Sequence, residues 1–122
     1  KITNSLAADV VLNNTANYFT GPTIAQGTSG TWFATGSVTV LDATAGASAF
    51  LIKLWDWTTV IDSARVDVPS NSHGVISLSG YLASPAGNIR ISVRDATNAV
   101  GKIIFNASSN SKDSTLSAIR IA

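Results

Sequence analysis

His73 is the one histidine of the chain, there is no cysteine, and all seven acidic residues are aspartates. A Ser-His-Asp relay needs a base with a nucleophile on one side and an orienting carboxylate on the other. His73 stands in SNSHG, between two alternating runs, where a solvated turn residue is the ordinary reading. A histidine zinc site would need further nitrogen or sulfur ligands. Asp62 and Asp67 share one run, but five positions apart they point to opposite faces of a strand and make no glycosidase pair. Asp42, Asp56, Asp95 and Asp113 each fall in or beside a turn, where aspartate bonds its own backbone, and no Asp-x-Asp spacing supports a calcium loop. Phosphate-binding glycine motifs are absent, and the sequons at Asn13 and Asn106 are expected by chance in a chain so rich in Asn, Ser and Thr. The residues therefore predict no catalytic group, no cofactor and no metal.

One stretch is unusual. KLWDWTTV, Lys53 to Val60, sets Trp55 and Trp57 on either side of Asp56, between two strand-like runs. A hairpin tip normally takes Asn, Asp or Gly, because its central residues need positive φ or a side chain that bonds the backbone. Trp57 offers neither. In the preceding run Phe50, Ile52 and Leu54 alternate with Leu51, Lys53 and Trp55, so a core lined by the first three turns Trp55 outward. Outward indoles can cover the apolar C–H faces of sugars, or seal a contact with another protein, where Trp is enriched. Trp55, Asp56 and Trp57 are accordingly the candidate partner or glycan contacts.

The elements that would position them are short alternating runs divided by Gly, Pro, Asn and Ser clusters, with no helical period of useful length. They are ADVVL, TWFATGSVTVL, AFLIKLW, TTVIDSARVDV, GVISLSGYL, NIRISVRD, KIIFNA and TLSAIRI. FTGPTIAQGTSG, from Phe19 to Gly30, reads as a long surface loop. About eight strands predict an all-β, antiparallel two-sheet sandwich, with jelly-roll topology expected and an immunoglobulin-like sandwich as the alternative. The expected core is Val38, Val40, Phe50, Ile52, Leu54, Val66, Ile89, Ile91, Val93, Ile104 and Ile119. Trp32 and Phe33 are neighbours on one strand, so one faces in and the other out.

At 122 residues and 12.6 kDa the chain has the length of one domain, residues 1–122, able to bury a core without metal or disulfide. Net charge is +1, which argues against a nucleic-acid partner. Only 12% of residues are charged, against about 25% in ordinary globular proteins. Hydroxyls and amides replace the missing charge, and such a surface costs less to desolvate against other copies of itself. No apolar run approaches a membrane span, so membrane insertion is not expected. The chain has no methionine and begins at Lys1, and is expected to be a processed or excised piece of something longer.

YFTGPTIAQGTSGTWFATG, the hairpin KLWDWTTVI and the closing FNASSNSKDST carry a resemblance that runs from about Leu6 to Ile121. The chain resembles small β-sandwich structural proteins and domains of tailed bacteriophages and alphaproteobacterial prophages. The resemblance implies a virion structural protein, on the capsid or tail surface: a head decoration or head-fibre domain, or a tail-fibre or minor tail domain. It implies self-association, with a trimer expected because jelly rolls in virions often surround a three-fold axis, and attachment to other virion proteins. A module recognising a host-surface glycan is the alternative, and an enzyme is not expected. Proteins of this group read Trp-Asp-Gly at the hairpin, a favourable type I′ turn. Trp57 stands here in place of that glycine.

Overall fold

The computed structural model describes residues 1–44 and 46–122; the expected turn at Asp42–Ser48 includes Ala45, which lies outside the described residues. Ten strands follow one another, with no helix among the described residues. They are β1 Ile2–Ser5, β2 Val10–Leu12, β3 Phe19–Thr23, β4 Thr31–Leu41, β5 Ser48–Trp55, β6 Val60–Val68, β7 His73–Ala83, β8 Arg90–Asp95, β9 Gly101–Ile104 and β10 Thr115–Arg120. All described pairings are antiparallel. One sheet has the order β3-β8-β5-β6. In the other, the long β4 pairs with β7 along its whole length on one side. On its other side β4 pairs with β10 over its first half and β9 over its second, and these carry β1 and β2 at the edge. The chain thus passes repeatedly between the sheets, and the sandwich is jelly-roll-like.

Period-2 alternation builds the core between the sheets. Along β5 every second residue is buried, and Phe50, Ile52 and Leu54 join Ile91 and Val93 of the same sheet, Ile89 just before β8, and Val38 and Val40 of the opposite sheet in one cluster. Full burial of each such side chain contributes about 1.5–3 kcal/mol. Trp32 is in this core and Phe33 is not, as adjacent strand positions require. The edge between the sheets closes where β6 meets β7: a Cβ on Gly80 would run into Ile61, and the Asp62 carboxylate accepts the Ser79 N–H at 3.0 Å.

Four expectations need correction. The strands number ten rather than about eight, because β1 and β3 carry too little hydrophobic alternation to stand out. Part of the expected Phe19–Gly30 loop is β3, an edge strand that pairs with β8 around a bulge between Thr20 and Thr23. Such an edge position with a bulge tolerates Gly21 and Pro22. Ile119, placed in the core by sequence, is 48% exposed. In β10 the inward positions are Leu116 and Ala118, and Ile119 sits directly opposite Phe33, whose face it must share. Val66 is only half-buried against the core, whereas Ile104 is buried as expected.

Candidate functional site

The hairpin between β5 and β6 is wider than a two-residue turn. Trp55 pairs with Val60, after a register break at Leu54, and leaves Asp56, Trp57, Thr58 and Thr59 between them. Asp56 organises this loop from beneath. One carboxylate oxygen accepts the N–H groups of Thr58 at 3.0 Å and Thr59 at 2.6 Å, and the other accepts the N–H of Ala86 at 2.7 Å. Asp56 is 2% exposed. Burial alone would raise its pKa, but the N–H groups of Thr59, Ala86 and Thr58 outweigh it and hold the carboxylate below its ordinary value. Asp95 caps the turn at the end of β8 by hydrogen bonds of the same kind, accepting from Thr97, Asn98 and Gly101, and Asp42 accepts from Thr44 after β4. The shared signature, Asp-x-Thr at a strand end, is visible in the sequence as DWT and twice as DAT.

With Asp56 below, the surface belongs to the indoles. Trp57 adopts φ +82° and is 57% exposed. Positive φ in a bulky residue costs of order 1 kcal/mol or more, and glycine would carry no such cost. Trp55 is half-buried: its Nε1–H donates to Ser92 Oγ at 2.9 Å, and Ser92 is fully buried. The two indole centroids are 5.2 Å apart and tilted by 38°, and Tyr18 continues the row 6.4 Å from Trp55.

Cations stand against these rings. Lys53 Nζ is 3.5 Å from the Trp55 centroid and 4.1 Å from that of Tyr18, and the Arg90 guanidinium is 4.4 Å from Trp57. Burial lowers the Lys53 ammonium and the Arg90 guanidinium, and the Asp56 carboxylate draws Arg90 the other way. Arg94, next outward on β8, donates Nε–H to the Thr15 carbonyl at 2.7 Å. The single ion pair among the described residues, Arg65 to Asp67 at 3.0 Å, lies out on β6.

The structure therefore brings Trp55 and Trp57 together and sets Asp56 beneath them. It adds Tyr18, Lys53, Arg90 and Ser92, which the sequence did not assign. Lys53 and Arg90 were legible as outward residues of their strands. Lys53 shares the face of Trp55 on β5 itself, whereas Arg90 and Ser92 are joined to the indoles by the pairing of β8 with β5, which places Arg90 opposite Trp55 and Ser92 opposite Lys53.

The outer face of the other sheet holds a second feature. Ile119, Phe33 and Tyr81 lie side by side on β10, β4 and β7, with the Phe33 and Tyr81 centroids 5.0 Å apart. Tyr81 is 66% exposed. Around the row stand Thr35, Ser77, Ser79 and Ser117; the outward positions of these three strands contain no Asp, Lys or Arg. Hydroxyls pair with one another toward the edge, Thr3 with Ser117 at 2.9 Å and Ser5 with Thr115 at 2.8 Å. His73 is exposed at the start of β7, and no group of three or more His, Cys, Asp or Glu able to hold a metal occurs among the described residues.

No family model and no curated protein matches the chain. Among solved structures it is similar to the Eiger TNF of S. frugiperda, at 9% identity and a TM-score of 0.59, over 99% of this chain and 91% of that one. A likeness at that identity shows a shared jelly-roll fold. The enzymatically active domain of bacteriophage CBA120 tailspike protein 4 is 14% identical, covering 96% of this chain but 19% of that one, with a TM-score of 0.43. A carbohydrate-binding module of Cellvibrio mixtus lichenase 5A, solved with cellotriose, is 8% identical over 94% of this chain and 98% of that one, with a TM-score of 0.36.

Proposed function

We propose that the protein is a structural module of a bacteriophage particle, which assembles with copies of itself through the outer face of the β4-β7-β10 sheet. The observation that carries self-assembly is the uncharged row Ile119–Phe33–Tyr81. Soluble monomers rarely leave such an apolar patch bare, and with Lys1 as the one charged residue beside Phe33, Thr35, Ser117 and Ile119, pairing with its own copy brings few like charges together. The hydroxyls around the row cost less to desolvate than ions would. A trimer is the assembly we favour. The phage setting, on the capsid or tail surface, rests on the sequence resemblance at YFTGPTIAQGTSGTWFATG, KLWDWTTVI and FNASSNSKDST, and the jelly-roll fold is compatible with it. We read the module as non-catalytic: exposed His73 has Asp113 as its charged neighbour, at the rim of the sheet rather than in a cleft.

Light scattering coupled to size exclusion tests the reading. The parent should elute as a trimer, and Tyr81→Ser combined with Ile119→Ser should shift it to monomer while its circular dichroism stays that of the parent. A parent that remains monomeric at high micromolar concentration would refute self-assembly.

A further inference from the structure

The geometry points to a second binding surface on the opposite side of the sandwich: Tyr18, Trp55, Trp57, Lys53 and Arg90 form a site for an acidic polysaccharide, one bearing carboxylate or sulfate groups. The starting observation is Trp57. Its backbone is held in a region that favours glycine, and its indole is left exposed. The backbone is strained to project an apolar ring into water, where its ring contacts are with Trp55 and Arg90, and such outliers cluster at binding sites. The Asp56 hydrogen bonds hold that strained loop in place, and the Trp55–Ser92 bond fixes the neighbouring ring. The platform is therefore set before any ligand arrives, which lowers the entropic cost of binding.

The chemistry of the platform narrows the ligand. Three rings in a row without a deep cavity, each with a cation against it and Trp57 the most exposed, offer apolar area to the C–H faces of sugar rings in an extended chain. A neutral glycan would leave Lys53 and Arg90 without a counter-charge. The nearby acid, Asp56, is buried and already committed to three backbone N–H groups. Sugar carboxylates or sulfates would complement both cations, with Arg94 extending the positive strip along β8. Single-stranded nucleic acid shares rings and charge with this description. It fits less well, because so few cations can release few counter-ions and the domain carries a net charge of only +1. The inference does not rest on self-assembly, since the two surfaces lie on opposite sheets.

The test is affinity electrophoresis of the intact chain in gels cast with alginate, chondroitin sulfate or neutral dextran, beside titration with an oligothymidylate. Alginate or chondroitin sulfate should retard the protein, dextran should retard it at least roughly tenfold less, and added salt should weaken the effect. Trp57→Gly should lose roughly tenfold or more in affinity while its melting temperature holds or rises and its oligomer mass is unchanged. Lys53→Gln with Arg90→Gln should lose acidic-glycan binding and leave the fold intact. The proposal fails if neither acidic glycan retards the protein, if Trp57→Gly binds as the parent does, or if the oligothymidylate binds more tightly than both glycans. A fall in oligomer mass on Trp57→Gly would assign the tip to a subunit contact and overturn it as well.

Discussion

On the β3-β8-β5-β6 sheet the outward positions of the two central strands hold Leu51, Lys53, Trp55, Arg90 and Arg94; on the β4-β7-β10 sheet they hold Phe33, Thr35, Ser79, Tyr81, Ser117 and Ile119. Both sheets present the same kind of inner face, aliphatic and closely packed, to one shared core. The fold constrains those inner residues and leaves the outer ones free. What the two outer faces carry is therefore the better guide to what the molecule touches. Rings with unpaired cations suit an anionic ligand, and rings among hydroxyls suit another copy of the same surface.

The strongest disruption should come from the residue that the two sheets share. Ile91 is fully buried between them, and Ile91→Ala should cost about 2–5 kcal/mol by denaturant titration. Neighbouring Arg90 points to the outer face, and Arg90→Ala should cost within about half a kcal/mol. Equal losses would mean that inner and outer faces have been confused.

Next is the anchor that holds one face in shape. Asp56→Ala would leave three N–H groups without their charged acceptor, and should cost about 2–3 kcal/mol. It should also free the indoles, seen as a red shift and faster quenching of tryptophan fluorescence. The Tyr81–Ile119 face should be unaffected, so oligomer mass should hold. Loss of mass would show that the two faces are coupled.

Acid should act in the same direction. Asp56 and Asp113 both have carboxylates held below their ordinary value: Asp56 by backbone N–H groups that outweigh burial, Asp113 mainly by the Ser108 backbone and side chain. A carboxylate whose folded-state pKa is depressed contributes stability that is present above its unfolded value, about 4, and is lost as pH falls through the folded one. Stability should therefore be level near neutrality and decline only below about pH 4, with Asp56→Asn flattening part of that decline. A stability loss centred well above about pH 4 would break this reading.

The smallest effect should be Trp57→Gly, which relieves positive φ but removes ring contacts with Trp55 and Arg90. Stability should be unchanged or rise by up to about 1 kcal/mol. A loss greater than about 1 kcal/mol would make Trp57 a structural residue, and the contrast between the faces would lose its main support.

Alternation alone marked β4, β5 and β8, the inward set Phe50, Ile52, Leu54, Ile89, Ile91 and Val93, and the outward Trp55, because a two-residue period has only two phases. It also placed Asp42, Asp56 and Asp95 in turns, where they do cap the backbone. In TLSAIRI the apolar residues occupy both phases, so local pattern could not choose; the register of β10 against β4 chose, burying Leu116 and Ala118 and turning Ile119 out beside Phe33. The same holds for the two surfaces. Lys53 stands beside Trp55 by the period of β5 alone, but Tyr18 and Arg90 are distant from Trp57 along the chain and join the cluster only because β8 lies between β3 and β5. Strand order is decided by long-range packing, which brings together residues whose own neighbours in sequence carry no trace of the contact.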